Sequence, residues 1–217
     1  MHNTVLFDLD GTLIDQFDAI HKSVNYTQRK LGIGESSFIK VKQAVGGSIR
    51  LTLGRLFDNH SLEETLPLFK EHFESIMMED VFILPGVESF LSQLYNQSIN
   101  MGVLTNKIGT HARATIDFLK LDSYFQYVLG AEDIGLKKPN PVFTDHILKL
   151  MDASRDTTCI IGDSPFDYQT GVEANIPVYL VATGTHSVEA LQKETDCQFI
   201  YDTMHSLAKD QFHFNLS

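Results

Sequence analysis

Beyond Pro85-Gly86 the chain keeps changing period, with short apolar runs taking turns with stretches of helical spacing. A helix near Val87–Tyr95 precedes a strand over Ile99–Thr105, and a helix near Thr110–Lys120 precedes a strand near Tyr127–Gly130. A helix opened by Pro141, a strand over Thr158–Asp163, a short helix and a strand over Val178–Val181 follow. Parallel strands need a crossover long enough to hold a helix, so this interval implies β-α-β units. The expected fold class is α/β, built on a parallel sheet.

Thr4–Asp8 is a short apolar run with β-branched residues that empties into Asp-Leu-Asp-Gly-Thr. It reads as a buried strand entering a tight turn, with carboxylates at its carboxyl end. From Asp15, read as an N-cap, to about Leu31, the apolar residues Phe17, Ile20, Val24 and Leu31 follow helical spacing. Ile49, Leu53, Leu56 and Phe57 form a second amphipathic face; Leu62, Leu66, Phe69, Phe73, Ile76 and Met77 form a third, in which Pro67 is expected to begin or kink a segment. The expected organisation is an α/β core, residues 1–15 and 83–217, interrupted by an all-helical insert, residues 16–82. There is no internal repeat or low-complexity tract.

Lys and Arg number 17 against 28 Asp and Glu, a formal charge of −11, and no run supplies the basic stripe a nucleic-acid binder needs. No apolar stretch approaches the roughly 20 residues that span a bilayer, and the opening MHNTVLFDLD lacks a basic start. The expectation is a cytoplasmic protein. Cys159 and Cys197 have no partner at metal-ligand spacing, and Cys159, inside a strand, reads as a small buried hydrophobe.

In an open parallel sheet, ligands bind beyond the carboxyl ends of the strands. Polar groups stand at several such ends: Asp8 and Asp10, Thr105-Asn106, Asp163-Ser164 with Asp167 beyond, and Lys137-Lys138-Pro139 after the third strand. Four carboxylates at close quarters must raise their pKa values or recruit a cation, and an all-oxygen ligand set suits Mg²⁺. Alternate residues of an extended chain point the same way, so Asp8 and Asp10 can face one substrate while Leu9 packs away. One carboxylate can attack while the other handles a proton. Gly11 turns the chain, and Thr12 offers a hydroxyl and an amide to phosphoryl oxygens.

Asp8-Leu9-Asp10-Gly11-Thr12, Leu104-Thr105-Asn106, Lys138-Pro139-Asn140-Pro141 and Gly162-Asp163-Ser164 with Asp167, in this order, resemble the haloacid dehalogenase superfamily, in its phosphatase branch with a helical cap. The resemblance implies a Rossmann-like parallel sheet of five strands in the order 5-4-1-2-3, and a cap that closes over the substrate. It implies Asp8 as nucleophile, forming an aspartyl-phosphate, and Asp10 as general acid/base. Thr105 and Lys138 would hold the phosphoryl group, with Gly11, Thr12, Asn106 and Ser164 among the substrate contacts. Asp8, the backbone carbonyl of Asp10 and Asp163 would ligate Mg²⁺, with Asp167 behind them or reaching the metal through water. In the cap, Gly46-Gly47-Ser48-Ile49-Arg50 occupies the place of a specificity loop, and Arg50 is the candidate for gripping an anionic group. The implied activity is a Mg²⁺-dependent phosphatase of phosphoglycolate phosphatase type, taking a small phosphorylated metabolite, with no nucleic-acid or membrane partner, as a monomer or homodimer.

Each residue also has a plainer reading. Asp10-Gly11 is a common turn pair, Thr105 can cap a following helix, Asp167 can cap or ion-pair near its own helix, Lys137 reads as a surface lysine, and Arg50 as a solvated one. Other functions are separable. A sugar-phosphate mutase such as β-phosphoglucomutase uses the same core, but His21 is one residue out of register with the histidine such mutases carry. A dehalogenase needs neither metal nor Asp10. A receiver-type phospho-acceptor module places its lysine last and has no helical insertion, whereas Lys138 precedes Asp163 here.

Overall fold

The computed structural model describes residues 2–216. Two compact units emerge: one runs to Asp15 and resumes at Ile83, and the other is Gln16–Phe82.

The first unit holds a parallel sheet of β1 (Thr4–Phe7), β2 (Asn100–Ile108), β3 (Tyr127–Ala131), β4 (Thr158–Gly162), β5 (Val178–Val181) and β6 (Ile200–Tyr201). Their spatial order is β3-β2-β1-β4-β5-β6. The first five strands stand in the expected order, and β6 adds a sixth beyond β5. It escapes the sequence because it is two half-buried residues long, too short for a periodic signal. All four residues of β1 are buried, as suits a strand with neighbours on both edges and helices on both faces. Chain direction across the sheet reverses at β1 and β4, the topological switch point where open α/β sheets bind ligands.

The second unit comprises α1 (Phe17–Lys30), α2 (Phe38–Ala44), α3 (Ile49–Leu56) and α4 (Leu62–Ile76). All the apolar faces read from the sequence pack together: Phe17, Val24, Leu53, Phe69 and Phe73 lie in its core, and Leu31, Ile49, Leu62, Ile76 and Met77 against it. One local expectation is corrected: the N-cap of α1 is Gln16, not Asp15, and no side-chain bond closes that end. Of the two alternatives for Pro67, it does not begin a segment but lies inside α4, which a capping box at Ser61 and Glu64 opens. His21 is engaged within this unit, where its Nε2 lies 2.9 Å from the Ser36 carbonyl and 3.0 Å from Asn25 Nδ2.

Helices α5 (Val87–Asn96), α6 (Gly109–Phe118), α7 (Pro141–Leu150), α8 (Pro165–Ala174), α9 (Val188–Glu194) and α10 (Met204–Phe212) complete the first unit. Strand alternation sends Leu6 and Phe7 to opposite faces. Leu6 packs with Phe143 and Ile147 of α7 and Ala174 of α8. Phe7 meets Phe90 of α5 edge-on at 6.1 Å, and Phe90 in turn meets Phe212 of α10 at 5.1 Å. Each fully buried side chain of this size contributes roughly 1.5–3 kcal/mol. Cys159 is buried without a disulfide, and burial pushes its thiol pKa up, which fits a small core residue.

Strand β2 is irregular at its carboxyl end. Thr105 faces Gly130 and Ile108 faces Ala131, so Asn106 and Lys107 bulge out of the ladder. Gly130 makes room for the bulge: a Cβ there would lie 2.4 Å from the Gly109 Cα and 2.7 Å from the Lys107 carbonyl oxygen. Both are backbone atoms that no rotamer change can move. Gly130→Ala is expected to destabilise the chain by about 1–3 kcal/mol, the usual range for overpacking, in urea unfolding; an unchanged midpoint would show that the bulge is dispensable.

Candidate active site

Asp8 directly follows β1, and its N–H still donates to the Ile161 carbonyl of β4 at 2.9 Å. Asp163 directly follows β4, and Asp167 lies in the first turn of α8. One carboxylate oxygen from each lies within 4.8 Å of the others. Strand ends distant in sequence are thus brought to one place by sheet order alone.

Lys138 holds this cluster together. Its Nζ lies 2.8 Å from Asp8 Oδ1 and donates to Asp167 Oδ1 at 2.6 Å. Only 3 % of the Lys138 side chain is exposed and none of Asp167, whereas the neighbouring Lys137 is exposed. Removing one partner of such a buried pair typically costs about 3–5 kcal/mol, because the other charge is left uncompensated. The Lys138 backbone is itself fixed: Asn106 Oδ1 accepts its N–H at 2.8 Å, and Asn106 Nδ2 donates to its carbonyl at 3.2 Å.

One ammonium does not balance three carboxylates. Burial pushes the Asp8 pKa up to about 6, with the Asp167 charge adding to the rise and Lys138 opposing it. Asp163 is raised well above the carboxylate range by burial and then by the charges of Asp167 and Asp8. Burial pulls Lys138 down, but Asp167 and Asp8 more than reverse this and leave its ammonium strongly held. Asp8 Oδ1 is buried and, although close to Lys138, lies outside hydrogen-bond geometry. An under-satisfied oxygen in an all-carboxylate cluster fits a hard divalent cation.

Glycine backbone walls the cluster. A Cβ on Gly184 would lie 1.8 Å from Asp163 Oδ2, and one on Gly162 would lie 2.1 Å from Asp167 Cγ. Gly11, at φ +85°, would meet Asp163 Oδ2 at 2.6 Å. The loop after β5 also gives Asp163 Oδ2 the Thr185 N–H at 3.2 Å, and Thr183 Oγ1 donates to the Gly11 carbonyl at 2.7 Å.

Asp10 stands apart from this cluster. Both its oxygens accept from Lys107 Nζ, at 3.0 and 3.1 Å, and Leu9 between the two aspartates is fully buried. Thr105 is buried, and its Oγ1 accepts the Lys107 N–H at 3.2 Å, leaving its own proton to donate. Thr12 has a buried hydroxyl without a partner, but its amide already donates to the Leu9 carbonyl at 3.3 Å.

The expected substrate contacts are redistributed. Asn106 uses both ends of its side chain on Lys138. Ser164 directs its N–H (3.0 Å) and its hydroxyl (2.6 Å) to Asp167 Oδ2, so this pair caps α8. Gly11 gives its N–H to the Ile14 carbonyl and serves as packing surface for Asp163. Arg50 belongs to the helical unit, exposed on the first turn of α3. Sequence reasoning missed Lys107, and with it Thr183-Gly184-Thr185. The second was findable, since it is a polar segment closely following a buried strand like the others.

The chain belongs to the haloacid dehalogenase-like hydrolase family, whose pattern it matches over residues 5–181. Among its relatives is phosphoglycolate phosphatase of Aquifex aeolicus, 28% identical over 180 residues that cover 83% of this chain and 84% of the relative. Another, from Caldanaerobacter subterraneus, is provisionally named pyrophosphatase PpaX, with 33% identity over 201 residues, 91% of this chain and 90% of the relative. The crystal structure of a predicted phosphatase from Clostridium acetobutylicum shares the fold, with a TM-score of 0.89, 24% identity, and coverage of 99% and 100%. Among the described residues no helix is long and apolar enough to cross a membrane.

The raised Asp163 carboxyl has a thermodynamic sign. An acid whose folded-state pKa is raised favours folding fully below its unfolded value, about 3.9, and loses that contribution as pH rises through the folded value. In EDTA, Asp163→Asn is therefore expected to melt higher than the native chain at pH 8, by roughly 2–4 °C per kcal/mol relieved, with a smaller gap at pH 5. A variant that melts lower at both pH values would show that Asp163 is not under charge stress.

Proposed function

We propose that the chain is a Mg²⁺-dependent phosphomonoester hydrolase acting on a small phosphorylated metabolite, of phosphoglycolate phosphatase type. The carrying observation is Asp8, a carboxylate at the switch point of the sheet with an oxygen 2.8 Å from the Lys138 ammonium. In this reading Asp8 attacks phosphorus while the bond to the ester oxygen breaks, and Asp10 gives that oxygen its proton. Asp10 then takes a proton from water, which attacks the aspartyl-phosphate and releases orthophosphate and free Asp8. Lys138 and the Thr105 hydroxyl hold the phosphoryl oxygens against the developing charge.

Asp8, Asp163 and the backbone carbonyl of Asp10 are the candidate Mg²⁺ ligands. The ion would supply neutralising charge to the phosphoryl group. Asp167, with its oxygens engaged by Lys138 and Ser164, supports the site from behind. The helical unit is read as a cap that selects the substrate, and Arg50 as its anion-gripping residue. The family assignment and the phosphatase names of the relatives support the reading.

The direct test is phosphate release from 2-phosphoglycolate, sugar phosphates, nucleotides and pyrophosphate, with and without EDTA. Turnover of at least one, lost in EDTA and restored by Mg²⁺, is the expected result; release from none would end the proposal. Asp8→Asn should abolish release while retaining a cooperative melt, and residual turnover near native would remove Asp8 as nucleophile. Asp10→Asn should slow phosphoenzyme breakdown by roughly 10²–10⁴-fold, read in a single-turnover assay; a loss below about tenfold would free Asp10 of its role.

A further inference from the structure

The turn that carries Asp10 is fixed at both ends and loose between them. The carbonyl of the buried Leu9 accepts the N–H groups of Thr12, Leu13 and Ile14 at 3.3, 2.9 and 3.1 Å, and the Ile14 carbonyl accepts the Gly11 N–H at 2.8 Å. Slack is therefore confined to Asp10, Gly11 and Thr12. No side chain can stiffen position 11, because at φ +85° a Cβ there would strike Asp163 Oδ2 at 2.6 Å and the Gly184 Cα at 2.8 Å. A glycine leaves its flanking peptides free to rotate unless something outside the turn holds them.

Thr183 supplies that hold. Its Oγ1 donates to the Gly11 carbonyl at 2.7 Å, across 172 positions of sequence. The segment that delivers the hydroxyl is itself pinned along its length. The Ala182 N–H donates to the Tyr201 carbonyl of β6 at 2.8 Å, and the Thr185 N–H donates to Asp163 Oδ2 at 3.2 Å. At its far end Ser187 Oγ accepts the Ala190 N–H at 3.3 Å and caps α9. A brace anchored to the sheet edge, to Asp163 and to a helix passes the rigidity of the core to the turn.

We propose that Thr183 is a positioning residue for proton transfer: its hydroxyl locks the Gly11 peptide and so sets the direction in which Asp10 presents its carboxyl group to the leaving oxygen. The inference rests on the function proposed above, in which Asp10 gives that oxygen its proton. Thr183 acts through Asp10, so its removal is felt only where the proton is needed. Displacing a catalytic group by about 1 Å can cost roughly 10²-fold in rate.

The test varies the leaving group. An alkoxide needs the proton in order to depart, whereas p-nitrophenolate is stable as an anion and departs without it. Comparing kcat/KM restricts the measurement to the steps through phosphoenzyme formation, so the later attack of water does not enter. Thr183→Val exchanges the hydroxyl for a methyl group at a half-buried position. At saturating Mg²⁺ it should lower kcat/KM by roughly 10–100-fold for the best alkyl phosphate of the panel above. The loss on p-nitrophenyl phosphate should stay below about threefold. Thr183→Ser keeps the donor and should remain within about threefold of the native chain on both substrates. Thr183→Ala, which also lacks the hydroxyl, serves if the valine variant does not fold.

Equal losses on both substrates overturn the proposal, since Thr183 would then support the whole site rather than Asp10. Unchanged turnover in the hydroxyl-free variants also overturns it, as does a serine variant impaired as deeply as the valine one. Failure of the phosphatase reading looks different, because then the native chain releases phosphate from neither substrate.

Discussion

A single buried ammonium facing two carboxylates is the constraint on which this site depends. Lys138 could not occupy a 3 % exposed position without Asp8 and Asp167, and those carboxylates could not remain charged there without it. Much of the surrounding architecture keeps this contact in place. Asn106 clamps the Lys138 peptide from β2, Ser164 fixes Asp167 at the start of α8, and sheet register delivers Asp8 beside Ile161. The network ties together the ends of β1, β2 and β4, which are remote in sequence and adjacent only because the strand order places β2 and β4 on either side of β1.

Within that frame the charges divide into two pairs with different surroundings. Asp8 with Lys138 is buried, crowded by Asp163 and Asp167, and short of positive charge. Asp10 is more open, and both its oxygens accept from Lys107. The two aspartates are separated only by the buried Leu9, yet their environments differ, as the division of attack and proton handling proposed above requires.

The sequence disclosed the parts of the molecule governed by periodicity. The strands from β1 to β5 and the three apolar faces of the helical unit repeat at intervals that only one kind of element satisfies. Short or locally capped features were hidden. Strand β6 has two residues, and the Ser61–Glu64 capping box that opens α4 was not read from the sequence. At the site, the clustering of Asp8, Asp163, Asp167 and Lys138 was legible because polar residues at strand ends must converge. The partners of Asn106 and Ser164 were not, since composition marks a group as polar without showing which neighbour claims it. Lys107 was obscured for a geometric reason: ordinary strand alternation gives no warning of a bulge that redirects a side chain.

The glycines behind the acidic cluster carry a consequence for how such a protein diversifies. Gly11, Gly162 and Gly184 form a partition with no side chain to trim, and any larger residue collides with Asp163 or Asp167. Variation on that flank has only one direction, and it is blocked. New preferences in descendants of this chain, natural or engineered, must therefore enter through the residues opposite the partition, while the reactive centre is inherited intact.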